Sequence, residues 1–171
     1  MSSPTKKAVR LFAAIVLAGG LALGGCSSSE GAAAPEEPKE TVKIAVVGPN
    51  ADGEDAAYVE ETSYALADVE DAWELSQKAF DEGGLTYDAS NSDYGVMLNS
   101  ITSPADGTVL GWDEGTGKYW QLFVDGEASE VGIDGVELAD GTSIVWYYSA
   151  FGDALPDMAD LAPIEALADA A

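Results

Sequence analysis

Two stretches decide how this chain folds: KYWQLFVDG, Lys118 to Gly126, and LADGTSIVWYY, Leu138 to Tyr148. Successive side chains of a strand point to opposite faces. Trp120, Leu122 and Val124 therefore share one face of the first stretch, and Tyr119, Gln121 and Phe123 share the other. In the second, Ile144, Trp146 and Tyr148 alternate with Val145 and Tyr147. Asp125-Gly126 and Asp140-Gly141 carry the residue types that accept the positive φ of tight turns. This predicts two strands that pair or neighbour each other. The face holding Trp120, Leu122, Val124, Ile144, Trp146 and Tyr148 is assigned to the core. The face holding Tyr119, Gln121, Phe123, Val145 and Tyr147 is too aromatic to lie bare in water. Either a loop covers it, with Ser103–Lys118 and its Trp112 as the candidate, or a ligand or partner does.

The rest of the domain is read outward from these strands. Val42–Val47 (VKIAVV) is an apolar strand, Gly48–Glu54 is turn-rich, and Ala57–Tyr64 is a half-polar strand. The period then changes. Val69, Ala72, Trp73, Leu75, Ser76, Ala79 and Phe80 recur at three and four, which gives a helix one apolar face. Asp68 is expected as its N-cap, and Gly83-Gly84 ends it. Trp73 and Phe80 would pack this helix onto the sheet. Leu85–Ser92 reads as a loop, Tyr94–Thr102 as a third strand, and Ser103–Lys118, with Pro104 and four glycines, as a long loop. The class is α+β, with one domain over 42–152. Residues 153–171 form an acidic, Ala-rich tail, with room for a short helix near 163–170, and are expected to be frayed or disordered.

The first residues address the compartment. Lys6, Lys7 and Arg10 precede an apolar run, Leu11–Gly25. A spanning helix needs roughly 20 residues, so residues 1–25 read as a cleaved secretory signal. The ending Leu23-Gly24-Gly25-Cys26 resembles a bacterial lipobox. That resemblance implies cleavage before Cys26, lipidation of its sulfur, and a place on the outer face of the bacterial cell membrane, held by the lipid anchor alone. Cys26 is the single cysteine, so no intrachain disulfide can form. Residues 26–41 are rich in Ser, Ala, Pro and Glu and read as a flexible, disordered tether.

Charge excludes whole classes of partner. The chain has 31 acids, 7 bases and a formal charge of −24. No acid lies in residues 1–26, so beyond them only Lys39, Lys43, Lys78 and Lys118 face all 31 carboxylates, which leaves −27. Nucleic-acid binding needs Lys and Arg on phosphates, and docking on anionic lipid needs a basic patch; neither is present. The bland reading of this charge is a solvated surface. With no His in the chain, imidazole chemistry is excluded. There is no nucleophile elbow or phosphate-binding glycine loop, and acid pairs such as Glu60-Glu61 are expected at this composition. Catalytic residues and metal ligands are therefore assigned to none. Asn50–Asp55 and Asp88–Asp93 resemble fragments of calcium loops but lack the spacing and the distal Glu; such loops ordinarily serve as turns.

The order of these pieces carries a family likeness. Tyr119-Trp120 through Val124-Asp125-Gly126, then Leu138-Ala139-Asp140-Gly141, then Val145-Trp146-Tyr147-Tyr148 resemble DUF4430, a bacterial domain of unknown function related to the C-terminal domain of transcobalamin and intrinsic factor. The likeness spans about Val42 to Phe151. It implies a β-grasp-like domain, with one helix packed on a small mixed sheet. In the animal vitamin carriers the related domain closes over the corrin ring, so the resemblance implies cobalamin or another corrinoid as ligand, with no resident cofactor. The expectation is a non-enzymatic surface protein that captures a small hydrophobic-faced molecule, with Trp112, Tyr119, Phe123 and Tyr147 as ring contacts. The alternative is a module that uses the same rings to dock a surface partner protein or cell-wall component.

Overall fold

A computed structural model of the chain describes residues 40–93 and 95–164. The expected signal, Cys26, nearly all of the tether, Tyr94 and the part of the tail beyond Ile164, with most of the stretch that has room for a short helix, lie outside them. The described part carries strands β1 (Thr41–Pro49) and β2 (Asp55–Ala65), helix α1 (Ala72–Glu82), strands β3 (Tyr87–Ser92), β4 (Gly95–Thr102), β5 (Val109–Leu110), β6 (Lys118–Val124), β7 (Glu127–Ala128) and β8 (Ser143–Ala150). A five-stranded sheet has the order β2-β1-β8-β6-β7, and a three-stranded sheet the order β3-β4-β5. β1 runs parallel to β8, and every other pairing is antiparallel. The class is α+β: small mixed sheets with one helix.

The pairing of the two decisive strands is the one their alternation predicts. β6 and β8 are antiparallel, with Trp120 opposite Tyr148, Leu122 opposite Trp146 and Val124 opposite Ile144. Asp125 (φ 52) and Gly126 (φ 84) both take positive φ, as a type I′ turn requires. β1 and β8 are central strands covered on both faces, which is why VKIAVV and SIVWYY read as nearly continuous apolar runs. On one face Val42, Ile44, Val46, Trp120, Ile144, Trp146 and Tyr148 join Leu75, Ala79 and Phe80 of α1 in the main core.

The helix starts later than its sequence suggests. Asp68 closes a single 3₁₀ turn, Leu66–Asp68, and the N-cap is Asp71, whose carboxylate accepts from the Glu74 N–H at 2.8 Å. The Glu74 carboxylate reaches back to the Glu70 N–H. Asp71 is the cap because its carboxylate meets the N–H three residues on; the Glu74 carboxylate returns one residue beyond the cap, to Glu70, so the pair resembles a capping box without closing on the N-cap N–H itself. At the other end Gly84 N–H donates to Asp81 O (3.1 Å) and Leu85 N–H to Phe80 O (2.8 Å), a Schellman motif that places Gly84 at φ 66.

Three expectations are corrected. Leu85–Ser92 is not simply a loop: Tyr87–Ser92 is β3, paired antiparallel with β4. Its polar sequence, YDASNS, hid a solvent-facing edge strand, since only one face of it meets protein. The tail is ordered at least to Ile164. Leu155, Met158 and Leu161 pack on Ala45, Val47, Phe123, Val145 and Tyr147. Ala57 N–H then donates to Ala162 O (3.0 Å), and Ile164 N–H to Ala57 O (2.9 Å), so the tail ends on the outer edge of β2. The cover over the second face is this tail segment, not Ser103–Lys118.

Four buried or half-buried tyrosines carry a consequence for alkaline stability. Burial, and then a hydrogen bond to Glu82 (2.6 Å), push the Tyr64 hydroxyl from 10.0 up to about 12. Burial, reinforced by the Asp55 carboxylate 2.8 Å away, raises Tyr147 as well, and burial raises Tyr58 and Tyr148. The folded chain therefore holds these phenolic protons more tightly than the unfolded chain. The stabilisation is whole below pH 10 and is lost as pH climbs through about 12. Urea midpoints measured from pH 9 to 12 should fall steeply above pH 10. The Tyr64→Phe/Tyr147→Phe double variant should fall less steeply; an equal slope would show that these hydroxyls do not govern alkaline unfolding.

Candidate functional site

β6 is paired along its inner edge with β8, but β7 covers only the far end of its outer edge, with Phe123 opposite Ala128 and Val124 opposite Glu127. The outward-facing backbone groups of β6 fall on alternate residues. Lys118 O accepts from Asp113 N–H (2.9 Å) and Leu122 O from Ser129 N–H (2.8 Å). By the same alternation the N–H and C=O of Trp120 face outward, where no strand of the described residues pairs with them. β4 is similarly bare on one side, because β5 reaches only Ile101 and Thr102.

A cleft of about 670 Å³ opens beside these two incomplete edges. Small-molecule sites are commonly about 300–1,000 Å³. Its walls come from β4 (Val96, Leu98), β6 (Tyr119, Leu122) and the segment after β7 (Val131, Ile133). Val131 follows Ser129, whose hydroxyl accepts from the Val131 N–H and donates to its C=O, a local turn that ends β7. Asp134 then reaches across to β4 and accepts the Val96 N–H at 3.0 Å. The segment 129–134 thus spans from the β6 edge to the β4 edge.

The lining is apolar and its mouth is exposed. Among the described residues, five large apolar side chains stand out as exposed, and four line this cleft: Met97 (57%), Trp112 (65%), Val131 (52%) and Phe151 (88%). Trp112 is held out deliberately by its neighbours. Trp120 Nε1–H donates to Leu110 O and the Tyr148 hydroxyl to Gly111 O, each at 2.8 Å. With Asp113 N–H bound to Lys118, the backbone on both sides of Trp112 is clasped to β6 and β8. Its ring lies 5.9 Å from that of Tyr119 at 45°. The next residue, Asp113, is half-buried. Its carboxyl is kept below the usual range by the Thr116 hydroxyl (2.6 Å), the Gly115 N–H (2.8 Å) and, more weakly, Lys118, so it stays ionised.

Polar side chains at the cleft already have partners. Gln121 Nε2 donates to Ser149 Oγ (2.6 Å) and Ala150 O (2.7 Å), and its Oε1 accepts from the Tyr119 hydroxyl at 3.4 Å. Asn99 exchanges hydrogen bonds with Ser90 and donates to Asp88. Among the described residues no three His, Cys, Asp or Glu side chains converge on a metal-sized site. The Asn50 carboxamide is occupied by the N–H groups of Asp52 and Glu54, and so makes a turn.

The four rings expected to contact a ligand are divided by the sheet. Trp112 and Tyr119 meet at the cleft. Phe123 and Tyr147 pack against each other, rings 6.3 Å apart, in the cluster under the tail segment, where only 3% and 8% of them is exposed. They are core. Met97, Val131 and Phe151 were not among the expected contacts. Met97 had a signal: in VMLN the alternation that buries Leu98 turns Met97 outward. Phe151, directly after the last strand and before Gly152, had only its position.

Residues 71–150 match the family described as "Domain of unknown function (DUF4430)". The match begins at the N-cap of α1, so β1 and β2 precede it, a narrower span than the likeness from Val42. A crystal structure of a "putative metal binding protein" from Ruminococcus gnavus ATCC 29149 aligns at 15% identity with a TM-score of 0.42, over 66% of this chain and 98% of that one. No curated protein matches the chain.

The division of rings is testable by stability alone. Phe123→Ala should cost about 3–5 kcal/mol, the range for removing a buried aromatic ring, whereas Trp112→Ala should stay within about 0.5 kcal/mol, as surface changes do. Denaturant titrations followed by far-UV circular dichroism would check both. Similar losses for the two would refute the assignment.

Proposed function

We propose that this chain, whose residues 71–150 match the DUF4430 family, is a binding protein that takes a small, apolar-faced ligand in the cleft beside β4 and β6. The observation that carries the proposal is the gathering of Met97, Trp112, Val131 and Phe151 at one opening. Exposed apolar area costs about 25 cal/mol per Å² relative to burial, and four such side chains around one concavity is what a ligand or partner would relieve. The fixed backbone on either side of Trp112 supports a pre-formed wall, which lowers the ordering cost of binding. A corrinoid is the ligand that the family likeness suggests. The role is binding, not catalysis, and the lipobox-like Cys26 would hold the protein at the outer face of the membrane.

A second reading rests on Phe151 and Met97, the first of which is almost wholly in water. Large apolar groups that project this far also suit docking of a surface protein. Equilibrium dialysis of the full-length protein against cobalamin, cobinamide and an uncharged naphthalene dye separates the readings. The small-molecule reading expects retention of at least one probe that Trp112→Ala abolishes and Phe151→Ala weakens. Corrinoid retention would identify the ligand class; retention of the dye alone would keep the cleft and remove the corrinoid. No Trp112-dependent retention of any of them at near-millimolar concentration would remove the small-molecule reading and leave partner docking.

A further inference from the structure

The cleft's surroundings select among apolar ligands by charge. Its own polar side chains are spent on internal hydrogen bonds: Gln121 on Ser149 and Ala150, Asn99 on Asp88 and Ser90, Ser129 on Val131. They can do little to orient the polar end of a ligand. What remains is the outward backbone of Trp120 and the charges that flank the lining residues in the chain. Asp113 follows Trp112; Glu127 and Glu130 bracket Ala128 and Ser129; Asp134 follows Ile133; Asp153 stands two residues after Phe151. Against these five acids the cleft's neighbours include one base, Lys118, which lies beside Asp113 across an isolated bridge. Of the other lysines in the described residues, Lys43 is paired with Glu61 at 2.7 Å, and Lys78 stands over the Tyr64 ring. Neither flanks a residue that lines the cleft. The exposed face of Trp112 adds an electron-rich surface that favours a cation and not an anion.

We infer that the cleft takes an amphipathic organic cation, with its flat apolar body among Trp112, Tyr119 and Met97 and its positive end toward the acidic residues that flank its lining. The same charge pattern argues against a second copy of this chain as occupant, since two faces of this sign would repel. It also argues against fatty acids and other organic anions. The inference rests on the cleft being a small-molecule site, and its test is arranged so that the two can fail separately.

Three naphthalene probes of matched size would be titrated into the full-length protein and read by tryptophan quenching: naphthylmethyl-trimethylammonium, naphthylmethanol and naphthalenesulfonate. The expected order is cation, neutral, anion, with the cation bound on the order of 10-fold more tightly than the neutral probe at low salt. The gap should shrink as salt is raised to 0.5 M, where the screening length falls to a few ångströms. Glu127→Gln/Glu130→Gln should narrow the gap severalfold, because both residues are exposed and flank the lining residues Ala128 and Ser129. Lys118→Gln should widen it. The remote control Asp52→Asn/Glu60→Gln, on and beside β2 at the opposite edge of the sheet, should leave it unchanged. Equal binding of cation and neutral probes, with loss of both in Trp112→Ala, would overturn the charge selection and leave the site standing. An equal effect of the remote pair would reduce the preference to net charge and also overturn it. No probe bound in a Trp112-dependent way would remove the site, and the inference with it.

Discussion

The register of β6 against β8 is the constraint from which the rest follows. Side chains on a strand alternate, so a slip by one residue would send Trp120 and Leu122 to the tail side and Phe123 under the helix. Both ends of the pair are pinned by groups specific to this register. At the turn end Asp125 donates its N–H to Ser143 O (2.8 Å) and accepts the Ser143 N–H on its carboxylate (2.9 Å). At the other end the Gln121 carboxamide spans to Ser149 and Ala150. The 140–141 turn then seats β1: Asp140 accepts the Thr41 N–H, and Gly141 N–H donates to Thr41 O. A parallel neighbour has no hairpin to set its register, and this clasp supplies what a hairpin would.

With that register fixed, each sheet face needs its own cover. One takes α1, whose Ser76 accepts the Trp146 indole N–H at 3.0 Å, so that even the large ring at the centre of the core leaves no polar atom stranded. The other takes Leu155, Met158 and Leu161. The first cover was legible in the sequence because seven apolar or small residues recur at helical spacing. The second was not. Three apolar residues three apart, among Asp, Ala and Pro, have no strong period and too little apolar area to hold together alone. They are ordered by the surface they land on. The sequence showed that Phe123, Val145 and Tyr147 had to be covered; the identity of the cover depends on where the chain goes after Gly152.

The cleft was harder still to read. Its walls come from two sheets, and no local pattern reports how the edge of one sits beside the edge of another. Trp112 and Tyr119 were legible as rings outside the core alternation. Ser103–Lys118 was legible as a loop from Pro104 and its glycines. That the loop would be clasped by carbonyls 110 and 111 to two core rings, and so present Trp112 rather than lay it over the sheet, depends on the indole N–H of Trp120 and the hydroxyl of Tyr148. Polar ends on otherwise apolar rings must find partners when buried, and here those partners are the backbone of the loop.

This exposes why ring density alone misplaces a site. Along β6 and β8 the rings are dense because both faces of the central strands are buried, and buried area is what large rings supply. A ring in a covered strand reports stability. A ring such as Trp112 or Phe151 in a connecting segment is kept in water at a cost, by a backbone that is otherwise well tied down. Folding gains nothing from that position, so an occupant that removes those rings from water is the simplest account of why they are held there. The physical distinction is between apolar area that the fold consumes and apolar area that it leaves over; only the second can be spent on a ligand.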